Sequence, residues 1–271
     1  MKIITVTNQK GGVAKTTTAA ALGFGLALKG FKVLFVDADA QGNLTETTYP
    51  VDDDGNLIEE ITGGSLFNIM IKEEGYTLKT VIRPSKYPNV DIVPANIMLS
   101  EIDMRLITML SRENILKDAL VQVANDYDYC VIDTPPSLGW MTLNALVASD
   151  YLIIPTYTER FSLKGIKQLY ENITDVKRSV NKKLEILGLL ITRNKKTLLS
   201  NDLKEILRLS AENMNTSLFN TVIREQVAIN EAQMSEKSIY EYMRNIKKRN
   251  GTVADDYKNF TEEVLERMEA K

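Results

Sequence analysis

The chain has 271 residues, of which 44% are hydrophobic and 25% charged, and its formal net charge is −3. That is the composition of a soluble globular protein. It excludes a strongly basic nucleic-acid domain. No apolar run approaches the roughly 20 residues needed to span a bilayer. There is no histidine and one cysteine, Cys130. An internal disulfide, a histidine base and a histidine metal site are therefore excluded, and the chemistry must rest on carboxylates and lysines.

The first predicted strand covers residues 2–7 and carries no signal-peptide pattern. It runs into Gln9-Lys10-Gly11-Gly12-Val13-Ala14-Lys15-Thr16-Thr17, and a helix is predicted over 15–29. A glycine-rich turn between a strand and a helix N-terminus is a phosphate cradle. Its N–H groups point inward and the helix dipole adds positive potential. Lys15 can reach the β/γ-phosphates and Thr16 can offer its hydroxyl to Mg²⁺. The strict pattern G-x-x-x-x-G-K-[ST] fails, because its glycine positions fall on Gln9 and Ala14. Alanine avoids the left-handed region, so Ala14 is expected at negative φ. Lys10 is a second cation, aimed at its own nucleotide or at a partner subunit's. From the rim of the cradle the second is geometrically easier.

The second predicted strand, 32–37, ends in Asp37-Ala38-Asp39-Ala40-Gln41-Gly42-Asn43. On an extended chain residues i and i+2 point the same way, so Asp37 and Asp39 are expected to face one site. Residues Thr47–Gly64 form an acidic insertion, read as a surface loop with a short hairpin at Asp54-Gly55-Asn56. Further strands are predicted near 90–93, 128–133, 151–155, 186–191 and 218–223. Helices are predicted near 65–72, 98–110, 112–125, 142–148, 163–180, 200–214, 226–234 and 253–269. The strand at 128–133 contains Cys130, expected to pack in the core. It ends in Asp133-Thr134-Pro135-Pro136-Ser137-Leu138-Gly139. Strand-end carboxylates beside a phosphate loop hold Mg²⁺ through its waters. Asp133 is assigned to that role, Asp39 to the attacking water, and Asp37 to support of the metal side.

This alternation is that of a mostly parallel sheet covered on both faces, with the site at the strand carboxyl ends. Residues 1–271 are read as a single α/β domain.

The loop, the D-x-D-x-Q-G-N stretch and the D-T-P-P-S-L-G stretch together resemble the ParA/MinD family of deviant Walker A ATPases. Within it the chain is most similar to the small, Soj-like partition ATPases. The resemblance implies a P-loop NTPase fold, ATP and Mg²⁺ as cofactors, and a cradle made by Lys10, Gly11, Gly12, Val13, Ala14, Lys15, Thr16 and Thr17. It implies that Lys10 reaches across an ATP-sandwich homodimer while Lys15 acts in cis. Lys10, Lys15 and Asp39 then serve hydrolysis, with Thr16, Asp37 and Asp133 on the metal side. Glu159 sits where related ATPases place a ribose contact. Thr192-Arg193-Asn194 and Val222-Ile223-Arg224-Glu225 resemble the adenine-side loops.

The resemblance also implies slow ATP hydrolysis stimulated by a ParB-type partner, non-specific DNA binding by the ATP dimer, and a nucleoid-associated place in the cytoplasm. Candidate DNA contacts are Lys195, Lys196, Arg224, Lys247, Lys248 and Arg249. Phosphate contacts of this kind need no base readout. The first strand lies so near residue 1 that no N-terminal helix-turn-helix domain is expected. A single cysteine argues against the related iron–sulfur ATPases. The alternative of a MinD-like membrane ATPase meets an acidic C-terminal stretch, Asp255–Lys271, where a basic amphipathic helix would be needed. A metabolic ATP-dependent amidase would need an additional substrate pocket.

Overall fold

The computed structural model describes residues 1–49, 64–157, 162–194, 198–244 and 251–270. Its strands are β1 (Lys2–Val6), β2 (Val33–Asp37), β3 (Arg83–Pro84), β4 (Val90–Val93), β5 (Tyr129–Asp133), β6 (Tyr151–Thr156), β7 (Glu185–Asn194) and β8 (Leu218–Arg224). The helices begin with α1 (Lys15–Leu28), α2 (Asn43–Thr48), α3 (Leu66–Met70), α4 (Leu78–Val81), α5 (Ile102–Leu106) and α6 (Ile115–Val121). They continue with α7 (Trp140–Ala148), α8 (Ser162–Ser179), α9 (Leu198–Asn213), α10 (Ala228–Met234), α11 (Ile239–Arg244) and α12 (Val253–Glu269).

One sheet runs β3-β4-β2-β5-β1-β6-β7-β8, parallel throughout except for the antiparallel β3–β4 pair. The central strands are buried end to end, as two-sided coverage requires. Alternate side chains feed two cores. Val33, Phe35 and Val131 meet α1 and α12, while Leu34, Val36, Cys130 and Ile132 meet α3, α5, α6 and α7. The register places Val6, Asp37 and Asp133 side by side at the carboxyl edge. The phosphate loop and both aspartate motifs therefore leave the sheet at the same level. From β1 the chain builds outward to β2 on one side and later to β6–β8 on the other, so this edge is the topological switch point.

Seven strands fall where the apolar runs place them, and the two-residue β3, too short to show a pattern, is not among those predicted. The helical reading needs correction in five places. Residues 43–48 form α2, so Thr47 and Thr48 belong to a helix rather than to the surface loop. The rest of that loop, including Asp54-Gly55-Asn56, lies outside the described residues. α4 and α11 are short elements whose few residues carry too little periodicity to read. The predicted helices 98–110 and 112–125 each open as a 3₁₀ turn and shorten to α5 and α6.

The acidic C-terminal helix has a structural use. Glu263 accepts from the Asn220 and Thr221 N–H groups at 2.7 and 2.8 Å, and Asp256 accepts from the Arg224 N–H at 3.0 Å. Two carboxylates thus satisfy backbone donors of the edge strand β8, which otherwise invites pairing with another chain. The same helix buries Val253, Tyr257, Phe260 and Val264 against α1 and the sheet.

Packing of α1 depends on two glycines within it. A Cβ on Gly23 would collide with the Phe35 ring of β2, and one on Gly25 with the Thr261 hydroxyl of α12. Helix propensity favours alanine over glycine by about 1 kcal/mol, but overpacking typically costs about 1–3 kcal/mol. Gly23→Ala is therefore expected to destabilise the protein. A lowered urea midpoint with an unchanged m-value is the outcome to look for.

Candidate nucleotide site

The loop between β1 and α1 is held largely through its carbonyls. Lys15 Nζ donates to Lys10 O at 3.1 Å, Arg193 Nη1 to Gly12 O at 3.2 Å, and Thr192 Oγ1 to Val13 O at 3.1 Å. The Thr18 N–H bonds Ala14 O at 2.9 Å. At the loop entrance, Asn8 donates to Pro155 O at 2.7 Å and accepts from the Lys10 N–H at 3.0 Å. Ala14 sits at φ 61°, ψ 38°, which corrects the expectation of a negative φ. The left-handed turn is imposed by the need to close the loop onto the first turn of α1. Alanine there carries about 1–2 kcal/mol of strain, which the surrounding bonds offset.

The ammonium of Lys15 belongs to a residue only 7% exposed. Burial lowers its pKa, opposed by the negative charges of Asp133 and Asp39. Asp133 is fully buried, and neither of its carboxylate oxygens has a hydrogen-bond partner among the described residues. Burial and the charge of Asp37 push its pKa well above the usual carboxylate range, partly offset by the Thr16 hydroxyl and by Lys15. An unpartnered buried carboxylate beside a threonine hydroxyl fits a cation that brings its own charge and waters. Thr16 and Asp133 are accordingly the residues suited to Mg²⁺.

Asp37 and Asp39 both lie near Asp133 but in different surroundings. The chain turns after Asp37, and the Asp39 N–H bonds back to Asp37 Oδ1 at 3.2 Å. The other oxygen of Asp37 accepts from the N–H and hydroxyl of Thr45 at 2.8 and 2.7 Å, fastening α2 to β2. Burial raises its pKa to about 6 even against these bonds. Asp39 alone of the pair lines the cleft.

That cleft is an open space of about 590 Å³. Gly11, Gly12 and Ala14 to Thr17 form its floor, and Asp39 and Pro136 another side. Asn43, Glu46 and Thr47 of α2 close one end. Arg193 and the segment from Glu225 to Gln233 make the far wall, where Gln233 Nε2 donates to Thr17 Oγ1 at 3.2 Å. Val13 is buried and outside the lining, its carbonyl bonded by Thr192. Lys10 is outside the lining, with its ammonium 4.1 Å from the centre of the Tyr157 ring.

Arg224 is also absent from the lining, which corrects its placement on the adenine side. Its guanidinium grips Asp256 with two bonds of 2.7 Å and donates to Gly251 O at 2.8 Å, tying β8 to α12. Its side chain nevertheless remains 44% exposed at the surface. Glu159, Lys195, Lys196, Lys247, Lys248 and Arg249 lie outside the described residues. Sequence reasoning missed Gln226, Asn230 and Gln233. Their spacing of four and three residues marks one polar face along α10 and its approach, a signal that was available.

A phosphate loop at a sheet's switch point, with a strand-end carboxylate beside the first helix turn, defines a P-loop nucleoside triphosphatase. Residues 1–186 match a family model described as an AAA domain. The sporulation initiation inhibitor protein Soj of Bacillus subtilis is 37% identical over 243 residues, covering 89% of this chain and 91% of Soj. Cobyrinic acid a,c-diamide synthase from Mycobacterium smegmatis, solved with an ATP analogue and magnesium, superposes with a TM-score of 0.80 at 28% identity, covering 100% of this chain and 96% of that one. A protein of Borrelia burgdorferi B31 described as a plasmid partition protein, solved with AMPPNP, gives 0.77 at 29% identity over 99% and 98%. The chain belongs to the ParA/MinD family of deviant Walker A ATPases.

Asp133 sets up a trade between stability and chemistry. Without nucleotide, Asp133→Asn replaces a fully buried carboxyl whose charged form burial disfavours, and is expected to raise the Tm. Each 1 kcal/mol gained appears as about 2–4 °C in a chain of this order of size. The same variant should lose Mg²⁺-dependent ATP turnover. An unchanged or lower Tm together with full turnover would contradict the assignment.

Proposed function

We propose that residues 1–271 act as one ATPase domain that partitions DNA. In this reading Mg²⁺-ATP fills the cleft and two nucleotide-loaded copies pair face to face. The pair binds DNA without sequence preference and is released when a ParB-type partner stimulates hydrolysis to ADP and phosphate. The protein's place is then the nucleoid of the cytoplasm. The observation that carries the reading is the division of labour between two lysines of one loop: Lys15 is buried inside the cradle, and Lys10 stands outside its own cleft.

Bound Mg²⁺ supplies charge neutralisation at the transferring phosphoryl group. The loop N–H groups and Lys15 hold the phosphates, and Thr16 and Asp133 hold the metal side. Asp39 orients the attacking water and accepts its proton. Asp37 acts at one remove by fixing α2, whose Asn43, Glu46 and Thr47 close the cleft. Arg193, Gln226, Asn230 and the exposed side chain of Val227 offer the wall for the base, with Glu159 as the ribose contact. Such a site works by positioning. Without the partner copy's Lys10 it is incomplete, which accounts for slow intrinsic turnover.

Lys195, Lys196, Lys247, Lys248 and Arg249 are the proposed DNA contacts. Pairing doubles their number, which reconciles DNA binding with an acidic chain. The membrane alternative loses ground, since α12 turns its apolar face to the core. No helix among the described residues is long and apolar enough to cross a membrane.

Sedimentation with plasmid DNA or with anionic liposomes, each with and without ATP, tests the reading. DNA should pellet the protein only with ATP, and liposomes should not. Binding to neither would favour an ATP-dependent enzyme resembling the cobyrinic acid a,c-diamide synthase of Mycobacterium smegmatis. Lys15→Ala should abolish nucleotide binding. Lys247→Ala should weaken binding equally on all sequences. It should also make the slope of log K against log salt shallower by about 1 for each DNA phosphate that is no longer neutralised.

A further inference from the structure

Lys10 is positioned by a strand distant in sequence. β1 lies beside β6, with Val6 opposite Ile153. Asn8, which is 2% exposed, then bonds both the Pro155 carbonyl and the Lys10 N–H. This clamp brings the backbone of Lys10 alongside the end of β6, where Tyr157 follows. The Lys10 ammonium lies 4.1 Å from the centre of the Tyr157 ring. That is well inside the roughly 6 Å range of a cation–π contact. The ring is therefore a built partner, delivered by the sheet register and held by a buried asparagine.

We propose that Tyr157 is a positioning residue for Lys10: its ring parks the ammonium on its own subunit until a second nucleotide-loaded copy offers a phosphate, and so sets the concentration at which two copies pair. This rests on the cross-subunit role proposed above for Lys10. The ammonium must leave the ring to reach the other subunit's nucleotide, so the two contacts compete. A cation–π contact at a partly exposed site corresponds to about a two- to fivefold preference. Two lysines leave their rings in each dimer, so the effects multiply.

The test measures the monomer–dimer equilibrium by sedimentation at saturating Mg²⁺ and a non-hydrolysable ATP analogue. Tyr157→Leu should tighten pairing about four- to twenty-five-fold, the square of the single-lysine preference. Tyr157→Phe retains a ring face and should stay within about twofold of the parent. A direct readout comes from the ε-methylene protons of Lys10. In the nucleotide-free protein they should be shifted upfield by the ring, and the shift should vanish in Tyr157→Leu. Lys10→Ala separates the two claims. If Lys10→Ala pairs normally, the cross-subunit reading falls and the parking proposal with it. If Lys10→Ala stays monomeric but Tyr157→Leu pairs no more tightly than the parent, the cross-subunit reading stands and the parking proposal is wrong.

Discussion

Four carbonyls of the loop between β1 and α1 are taken by donors from Lys15, Arg193, Thr192 and the first turn of α1. An anion can be held by a backbone only if the N–H groups are left facing it and cannot rotate away. Bonding the opposite pole of the peptides achieves this. The donors come from α1 and from the end of β7, while Asn8 ties the loop entrance to β6. The cradle is thus preorganised by the sheet, and the strain at Ala14 persists because these bonds leave the chain no other path.

The carboxylates follow a comparable logic. The chain is acidic overall, yet many of its carboxylates are directed at backbone N–H groups rather than at solvent. Asp37 fastens α2, Asp103 caps α7 through the Trp140 N–H at 2.7 Å, and Asp150 and Asp128 receive the Ile3 and Lys32 N–H groups at 2.8 Å. Asp256 and Glu263 close the edge of the sheet. Net charge therefore describes this surface poorly. Asp133 is the exception among these acids: it is fully buried, and what faces it is the Thr16 hydroxyl and the Lys15 ammonium rather than a backbone N–H.

The two loop lysines show how similar residues five positions apart acquire different physical situations. Lys15 begins a helix and folds over the loop into low dielectric, between two carboxylates. Lys10 precedes the glycines and meets the neighbouring strand's aromatic ring. Burial governs the first, while the second lies against an aromatic ring outside the cleft.

Local chemistry was legible without a structure. The apolar runs of β1, β2, β5 and β6 announce buried parallel strands, and the loop with Lys15 and Thr16 announces phosphate, because these signals depend only on neighbours in the chain. Asp133 could be picked out because it ends such a strand. What only the tertiary structure decided depends on residues far apart in sequence: Asp37 bonding Thr45 instead of facing the cleft, Arg224 bonding Asp256, Gln233 reaching Thr17, and Lys10 resting on Tyr157. A side chain's role is set by the strongest partner within reach, and reach is determined by sheet order and register, which no local pattern encodes.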